Sequence, residues 1–530
     1  MQFLDEKRGM HPFDTRDVER PNVFVFTVDM IPPEFHRQPS ECLTHMRRPA
    51  WQTLESDSVS FTNAFAVSPL CGPSRASMFT GRYPYILVNE ERAHDGCEVE
   101  LRPDDPIYPD YLKAAGYLMG HVGKSHIGTA TFARVFGESC SPWNRWAPPI
   151  YDDPEYHEYL RAMGVDGFRF KRRIEGLRTD RTTAGNFYGG WLEQKNGMPF
   201  PLEATYPHYL VHRALALLDS LLERNEDNAP LYLHLDLFAP HQPFLIPAGL
   251  EEREQALRAD VPLPAGYTGW RDRDYKPAGP EPGIYATYRS SWGLYDENTA
   301  RDYQIAHLLQ MEVIDSALRV FVERLKALGL YDSGIVLLTA DHGEMNLEQG
   351  LIDKGVYGHP KPGRIPMLLK LPNADRAGEI VEQDVSLLDI APTFLEVGGI
   401  DAIGRHDGES LFRRLVPGDQ GHDEPFVFEA GWHVAPNPAV AINKRFEQGH
   451  FRYVYNACSD VDELYDLDDP GFTNQIDDPA CAEIRVTMRR ELQEIVNNDA
   501  RWRCYRQAFE LTRYEDLEQR AGDGQMFIPE

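Results

Sequence analysis

The stretch Asn22-Val-Phe-Val-Phe-Thr-Val-Asp29 is a run of mostly apolar, β-forming residues that ends in an acid. A run of this kind is typical of a strand that is buried on both faces of a parallel sheet. The same pattern recurs at Leu231–Asp236 and at Ile335–Asp341, and residues with helical apolar spacing precede each of these at Tyr209–Leu222 and Ala300–Leu328. Strands that alternate with helices predict an α/β fold, a large mostly parallel mixed sheet flanked by helices.

Polar groups follow the ends of these predicted strands. Asp29, the pair Pro240-His241 and the pair Asp341-His342 come after three different strands. Ligands of open α/β sheets bind beyond the carboxyl ends of the strands. We therefore expect these groups, which are distant in sequence, to converge at one edge of the sheet.

The composition limits the classes of partner. The chain has 530 residues, enough for one large α/β domain and a smaller one, and its net charge of −29 argues against nucleic acid. An anionic substrate would need a local cluster of cations or a metal ion in a cleft. No apolar run approaches the roughly 20 residues of a membrane span. Residues 1–21 lack the apolar core of a secretory signal, so we expect a cytoplasmic protein with no membrane partner.

Cysteines are sparse. The chain has seven, scattered and without a C-x-x-C pair, which argues against a disulfide framework or a structural zinc site. All except Cys71 are predicted to be ordinary core or surface thiols: Cys42, Cys97, Cys140, Cys458, Cys481 and Cys504.

Cys71 opens the stretch Cys-Gly-Pro-Ser-Arg-Ala-Ser-Met-Phe-Thr-Gly-Arg. Pro73 suits the first turn of a helix and Gly81 suits its left-handed end, which predicts a short helix from about Pro73 to Thr80. Residue 71 would then lie at the positive end of that helix, with Arg75 one turn further on. Taken alone, the stretch fits a buried structural cysteine better than a functional one.

This stretch resembles the signature of type I sulfatases, C-x-P-S-R-x-x-L-x-T-G-R, members of the alkaline phosphatase superfamily. Met78 stands in the place of the leucine, and the other signature positions match: Cys71, Pro73, Ser74, Arg75, Thr80, Gly81 and Arg82. The resemblance implies that a maturase, the formylglycine-generating enzyme, oxidises Cys71 to formylglycine (3-oxoalanine). It further implies that the hydrated aldehyde is the nucleophile that attacks a small anionic ester.

Three further motifs of the same family occur in the family's order. Lys124 and His126 lie in a G-K-x-H-x-G segment, and His241 lies in P-H-x-P. Lys354, which follows the segment Asp-His-Gly-Glu at 341–344, corresponds to the family's second lysine. The resemblance implies that the lysines bind the anion, that His126 is the base at residue 71, and that His241 or Lys354 protonates the leaving oxygen. Any of these lysines taken singly would be an ordinary surface charge.

A divalent cation is the implied cofactor. Asp341-His342, in Thr-Ala-Asp-His-Gly-Glu, matches the family's metal motif, and Asp29 and residue 71 complete the implied ligand set. Most sulfatases have two adjacent acids after the first strand, whereas here Met30 follows Asp29. Methionine cannot replace a hard oxygen ligand, so we expect this site to bind Ca²⁺ less tightly and to suit Mn²⁺ or Zn²⁺, which tolerate nitrogen ligands, better than a site with paired acids would.

Met30 also leaves two alternatives for the ester that is hydrolysed. Type I sulfatases hydrolyse sulfate monoesters, which is our first interpretation, but the phosphonate monoester hydrolase branch of the family also departs from the paired acids. Hydrolysis of phosphonate monoesters or phosphodiesters is therefore the alternative. An anion-binding relative disabled by Met30 is a third interpretation, which the survival of the other motif residues disfavours.

The resemblance extends over nearly the whole chain. Residues 386–399 and 450–479 resemble later family segments, the second belonging to a small antiparallel C-terminal subdomain. We predict a catalytic domain over 1–420 and, over 421–530, an α+β subdomain with a helix and a tail that could support a homo-oligomer. Residues 130–205 and 242–298 lack strong periodicity, so we expect long loops that wall the substrate site. The alternative is that both segments are surface loops that do not contribute to the substrate site.

Overall fold

The computed structural model describes most of the chain outside its two ends. The described residues are 20–84, 101, 105–137, 140–143, 150–355, 357–400, 406–419, 421, 426–432, 435–457, 461–469, 471–499 and 502. The side chains of 140–143 and of 431–438 are outside this description.

Eighteen strands lie in the described part of the chain. They are β1 Val23–Asp29, β2 Val59–Phe61, β3 Ala64–Phe65, β4 Leu118–Lys124, β5 Cys140–Trp143, β6 Phe168–Leu177, β7 Thr183–Gln194, β8 Leu231–Pro240, β9 Phe244–Pro247, β10 Ile335–Ala340, β11 Arg364–Ile365, β12 Met367–Lys370, β13 Ile380–Val381, β14 Val385–Ser386, β15 Phe426–Trp432, β16 Ala435–Phe446, β17 Gly449–Asn456 and β18 Glu463–Asp466.

Fifteen α-helices are interspersed with these strands. They are α1 Glu41–His45, α2 Pro49–Asp57, α3 Cys71–Thr80, α4 Tyr108–Ala114, α5 Thr129–Phe136, α6 Pro154–Ala162, α7 Tyr206–Glu223, α8 Glu251–Asp260, α9 Ala265–Asp272, α10 Gly283–Trp292, α11 Glu297–Ala327, α12 Leu330–Ser333, α13 Pro360–Gly363, α14 Ile390–Val397 and α15 Ala482–Asn498. Short 3-10 helices occupy Pro33–Phe35, Leu202–Ala204, Glu348–Gly350, Pro372–Ala374, Leu387–Asp389, Leu411–Leu415 and Pro479–Cys481. No helix among the described residues is long and apolar enough to cross a membrane.

The main sheet has eight strands in the order β13-β2-β12-β10-β1-β8-β4-β5. β1 is central and pairs in parallel with both β8 and β10, and every residue of these three strands is buried. β12 is antiparallel to its two neighbours. The helices α7 and α11 pack on β8 and on each other, while α3, α4 and α14 form a second packed group. The predicted mostly parallel mixed sheet with flanking helices is therefore confirmed.

The predicted element bounds differ from the observed ones by a few residues. The helix predicted over Ala300–Leu328 begins earlier, at Glu297, because the Asp296 side chain accepts a hydrogen bond from the Thr299 amide and caps it. The strand predicted to end at Asp236 continues to Pro240. Asp236 is therefore an interior strand residue rather than the last one.

The prediction of long loops at 130–205 and 242–298 was wrong. β6 and β7 form an antiparallel pair, and β7 also pairs in parallel with β9, which begins three residues after His241. Helices α6, α8, α9 and α10 fill much of the remainder. β6 carries exposed charges at successive positions and β7 contains Gly189 and Gly190, so neither shows the alternation that identifies a strand. That these segments wall a substrate site stays a prediction.

A second, smaller sheet lies near the C-terminus. Its strands β15, β16, β17 and β18 are joined antiparallel in chain order, and α15 packs on β16 and β17. This confirms an antiparallel α+β unit after the main sheet. The boundary at 420 stays a prediction. Cys97, Cys458, Cys504 and the tail beyond 502 lie outside the described residues.

Candidate active site

Helix α3 places Cys71 at its first residue, where the helix begins two residues earlier than predicted. Gly81 ends the helix with φ 67°, the left-handed conformation expected of a glycine cap. The Cys71 side chain has no solvent exposure. The positive end of α3 is thus directed at residue 71, which favours negative charge there.

Four ligand-bearing side chains meet beside Cys71. One ligand atom each from Asp29, Cys71, Asp341 and His342 lies within 4.8 Å of all the others. The Cys71 Sγ is 3.1 Å from the His342 Nε2 and 3.8 Å from an oxygen of Asp29. The structure therefore brings together all four residues that the sequence assigned to the metal, from β1, α3 and the turn after β10.

The charges of this cluster suit a cation. Burial, with the nearby negative charges of Asp341 and Cys71, raises the pKa of Asp29 even though Lys124 opposes the shift. Crowded carboxylates of this kind are relieved when a divalent ion binds between them. The donor set of two carboxylates, one imidazole and residue 71 fits such an ion. Met30 adds only its backbone N–H, which donates to the Asp341 Oδ1 at 3.2 Å.

Arg75 lies behind this cluster, fully buried. Its Nε donates to the Asp341 Oδ2 at 2.8 Å, and one terminal nitrogen donates to the Lys124 carbonyl at 2.9 Å and to the Asp236 Oδ1 at 2.8 Å. The other terminal nitrogen is 4.0 Å from the Asp29 Oδ2. One guanidinium thus connects residues from β1, β4, β8 and the turn after β10.

Lys124 and His126 reach the cluster from the end of β4. The Lys124 Nζ is 2.5 Å from the Asp29 Oδ2. His126 has a positive φ of 55°, and its side chain hydrogen-bonds Cys71. Burial lowers the pKa of His126 to about 4, so the imidazole is neutral at pH 7 and can accept a proton.

His241 and Lys354 form a hydrogen-bonded pair, and the charge of Lys354 acts on Cys71. The Lys354 Nζ is 2.5 Å from the His241 Nε2, and the His241 Nδ1 lies 2.6 Å from the Gln242 carbonyl oxygen. The Nδ1 therefore carries the proton and Nε2 accepts from the lysine. Asp353 supports this pair, because it accepts from Gln242 and from the Lys354 backbone amide, both at 2.6 Å.

Exposure differs across the six predicted catalytic residues. Cys71, Arg75 and Lys124 have none, whereas His126, His241 and Lys354 retain 5, 4 and 8%. The cluster therefore meets solvent on the side of the two histidines and Lys354. Burial raises the pKa of the Cys71 thiol, but Lys124, Lys354 and His342 outweigh it and lower that pKa well below its usual value. An anion at this position is thus stabilised from several directions.

Sequence reasoning missed the residues that support these groups. Asp236 contacts Arg75, while His121 and His234 contact Asp236, and none of the three was assigned a role. Asp353 was also missed. An acid inside an otherwise apolar strand was the available signal for Asp236, but the predicted strand end concealed it.

Comparison with known proteins identifies the family. A sequence profile described as Sulfatase matches residues 40–400, and one described as N-sulphoglucosamine sulphohydrolase, C-terminal, matches residues 348–498. The chain belongs to the sulfatase family. It is thus a hydrolase of the alkaline phosphatase superfamily, and the resemblance found in the sequence is confirmed.

Individual relatives are distant but match over most of their length. The chain is 24% identical over 541 residues to the multifunctional alkaline phosphatase superfamily protein PehA of Trinickia caryophylli, covering 94% of this sulfatase and 98% of the relative. It is 25% identical to the choline-sulfatase of Rhizobium meliloti, over 87% of this chain and 83% of that one. The phosphonate monoester hydrolase of Silicibacter pomeroyi has a similar fold, with a TM-score of 0.68 at 20% identity, over 91% of this chain and 96% of that structure.

Proposed function

We propose that this sulfatase hydrolyses sulfate monoesters, with formylglycine made from Cys71 and one divalent metal ion at the site. The observation that carries the proposal is the meeting of Asp29, Cys71, Asp341 and His342 in one buried cluster. Three cationic side chains, Arg75, Lys124 and Lys354, surround that cluster. The local charge suits an anionic ester although the whole chain carries −29.

The cofactors supply the chemistry that the unmodified side chains lack. When bound, the cation held by Asp29, Asp341, His342 and residue 71 stabilises negative charge on the reacting group. Formylglycine supplies, once hydrated, one hydroxyl that attacks the ester and a second whose deprotonation expels sulfate and restores the aldehyde. Mn²⁺ is the ion we favour, because the site offers a nitrogen ligand as well as oxygen ligands, and Ca²⁺ and Zn²⁺ are the alternatives.

The chain's own residues bind the anion and move protons. Lys124 and Lys354, whose charges both act on Cys71, are placed to bind the non-bridging oxygens. His126, neutral at pH 7 and hydrogen-bonded to residue 71, accepts the proton of the second hydroxyl. His241 or Lys354, which share one hydrogen bond, donates to the leaving oxygen.

A second candidate function is hydrolysis of phosphonate monoesters or phosphodiesters at the same site. Met30 favours it, because its thioether side chain stands where most sulfatases have a second acid, and the residue contributes only a backbone N–H to the Asp341 carboxylate. With one acid fewer, the site carries less negative charge, and the metal it prefers changes. The location in the cytoplasm, a homo-oligomer and a domain boundary at 420 stay predictions.

A substrate comparison tests the two candidates. We would co-express the chain with a formylglycine-generating enzyme and measure kcat/KM on para-nitrophenyl sulfate and on para-nitrophenyl phenylphosphonate. A preference for sulfate supports the proposal, and a preference for the phosphonate supports the second candidate. Cys71→Ala protein, purified the same way, is the control for contaminating hydrolases. Hydrolysis of neither ester above that control would contradict both functions for aryl leaving groups.

A further inference from the structure

Asp236 is a buried acid in the interior of β8 that faces the active-site cluster from behind. Its Oδ1 accepts from Arg75 at 2.8 Å, and its Oδ2 lies 3.0 Å from the His121 Nε2 and 3.3 Å from the His234 Nε2. All four side chains have no solvent exposure. Its position in the strand therefore directs this carboxylate at Arg75.

The strand pairing is built to admit this arrangement. Gly123 of β4 pairs with Asp236 of β8, and Gly123 has φ 114°. A Cβ at residue 123 would lie 1.8 Å from the Asp236 carbonyl oxygen, so only glycine allows the two strands to approach this closely. The approach occurs at the end of β4, immediately before Lys124. The same contact thus fixes Asp236 and the start of the G-K-x-H-x-G segment.

The histidines around Asp236 add no positive charge. Burial lowers the pKa of both His121 and His234, the latter to about 3, so each imidazole is neutral. His234 is held in turn by Thr27, 2.8 Å from its Nε2, and by Tyr232, whose hydroxyl is 3.2 Å from its Nδ1. The full negative charge of Asp236 is therefore balanced by Arg75.

Asp341 already accepts several hydrogen bonds. Its Oδ1 accepts from the backbone amides of Met30 at 3.2 Å and of His342 at 3.0 Å, and its Oδ2 accepts from the Arg75 Nε at 2.8 Å. Each donor lowers the charge that this carboxylate can offer to a cation. If Asp236 were neutral, Asp341 would be the one ionised carboxylate hydrogen-bonded to the guanidinium.

We propose that Asp236 is a positioning residue that shares Arg75 with Asp341, and so keeps the Asp341 carboxylate available to the divalent cation. The inference rests on the proposed function, because it assumes the metal site described there. Asp236 accepts from a terminal nitrogen of the guanidinium, whereas Asp341 accepts from its Nε. It thereby supplies a negative charge near the site without being a ligand itself.

Metal affinity of Asp236→Asn tests this role. Asparagine keeps the shape and the oxygen that accepts from Arg75 but removes the charge. We expect the Kd for Mn²⁺ of metal-free protein, measured by isothermal titration calorimetry, to rise about 10- to 100-fold, the range found when partners of metal ligands are removed. The kcat should recover in part at saturating Mn²⁺.

Tyr108→Phe is the matched control. The Tyr108 hydroxyl is 2.5 Å from that of Tyr232 in the same buried network, but it does not reach Asp236. We expect its loss to lower Tm and leave the Mn²⁺ Kd unchanged. An Asp236→Asn protein whose Kd stays within twofold of the wild type, with only Tm reduced, would overturn the inference.

A second variant keeps the test decisive if Asp236→Asn does not fold. His121→Phe preserves a ring among Phe132 and Phe136 but removes a hydrogen bond that holds the Asp236 carboxylate in its orientation toward Arg75. A Kd raised roughly two- to fivefold is expected from the loss of that one hydrogen bond. An unchanged Kd would then overturn the inference.

Binding is measured without turnover, so wild-type protein that binds Mn²⁺ but cleaves neither ester would refute only the proposed function. Wild-type protein that binds none of Mn²⁺, Ca²⁺ and Zn²⁺ would overturn both.

Discussion

Cys71 is the residue from which the proposed nucleophile is made, so its replacement has the clearest expected result. Cys71→Ala should reduce kcat roughly 10³-fold or more, the scale of losses when the nucleophile of a covalent hydrolase is removed. The fold should persist, because a buried alanine fits the first turn of α3, and Tm should change by only a few degrees.

Cys71→Ser separates nucleophilicity from the special chemistry of the aldehyde. A serine hydroxyl can attack an ester, but it has no second hydroxyl whose deprotonation expels the sulfate. We therefore expect steady-state turnover to be nearly as low as in Cys71→Ala. Near-normal kcat in either variant, measured against the same maturase-treated wild type, would contradict the formylglycine mechanism.

At the scale of elements, the pairing of β7 with β9 holds the His241 segment. A Cβ at Gly189 would lie 2.1 Å from the Phe244 carbonyl oxygen, and φ at this position is 90°. Gly189→Ala should therefore force β9 away from β7, lower Tm and reduce kcat/KM about tenfold or more through displacement of His241.

Gly185→Ala in the same strand is the control for that variant. Gly185 has φ 87°, but an added Cβ there meets no atom within 4 Å. Both substitutions bear the cost of a positive φ, about 1–2 kcal/mol. Only Gly189→Ala adds the collision. Equal kcat/KM in the two variants would show that β9 does not position His241.

The contact between α11 and α2 predicts a pH dependence of stability. Asp315 of α11 accepts from the backbone amides of Ala50 and Trp51 at the start of α2, at 3.2 and 2.8 Å. Burial outweighs these hydrogen bonds and raises the Asp315 pKa to about 6. The folded state thus binds this proton more tightly than the unfolded chain, whose Asp pKa is about 3.9. The stability gained is present below about pH 4 and lost as the pH rises through 6.

Asp315→Asn should remove that dependence, because asparagine resembles the protonated acid. Between pH 4 and 7 the difference in unfolding free energy between variant and wild type should move in favour of the variant by up to about 3 kcal/mol. Thermal melts at pH 4.5, 6.0 and 7.5 measure this difference. A difference that stays constant with pH would contradict a raised Asp315 pKa.

The sequence predicted elements whose pattern matches their environment. β1 and β10 were recognised because strands buried on both faces are continuous apolar runs, and α3 because Gly81 marks its end. β6 and β7 were missed because exposed charges and glycines break the alternation. Whether a residue pairs with β9 depends on contacts far away in sequence, which no local pattern records.

The same distinction applies to the site. The proposed metal ligands and catalytic residues were predicted because they stand in recognisable motifs at strand ends or at a helix start. Asp236, His121 and His234 have no such motif, and their importance comes from the register of β4 against β8. The role of a buried acid can be inferred only when its partner is known, and the partner of Asp236, Arg75, lies 161 residues away in the chain.

At the scale of the whole molecule, the proposed metal site links elements that are far apart in sequence. Its proposed ligands come from β1, α3 and the turn after β10, so an ion bound there would favour the folded over the unfolded chain. Such an ion stabilises by RT ln(1 + [L]/Kd), about 4 kcal/mol at a thousandfold excess over Kd. Removal by chelator should therefore lower Tm, and added Mn²⁺ or Ca²⁺ should restore it.

Asp341→Asn makes this experiment specific to the proposed site. The variant lacks one carboxylate of the cluster, so elemental analysis should find less bound metal, and chelator should change its Tm little. General effects of chelator on a chain of net charge −29 would be the same in both proteins. Because only the ion at this cluster is lost in the variant, equal metal content and equal Tm shifts in wild type and Asp341→Asn would place the stabilising ion elsewhere in the molecule.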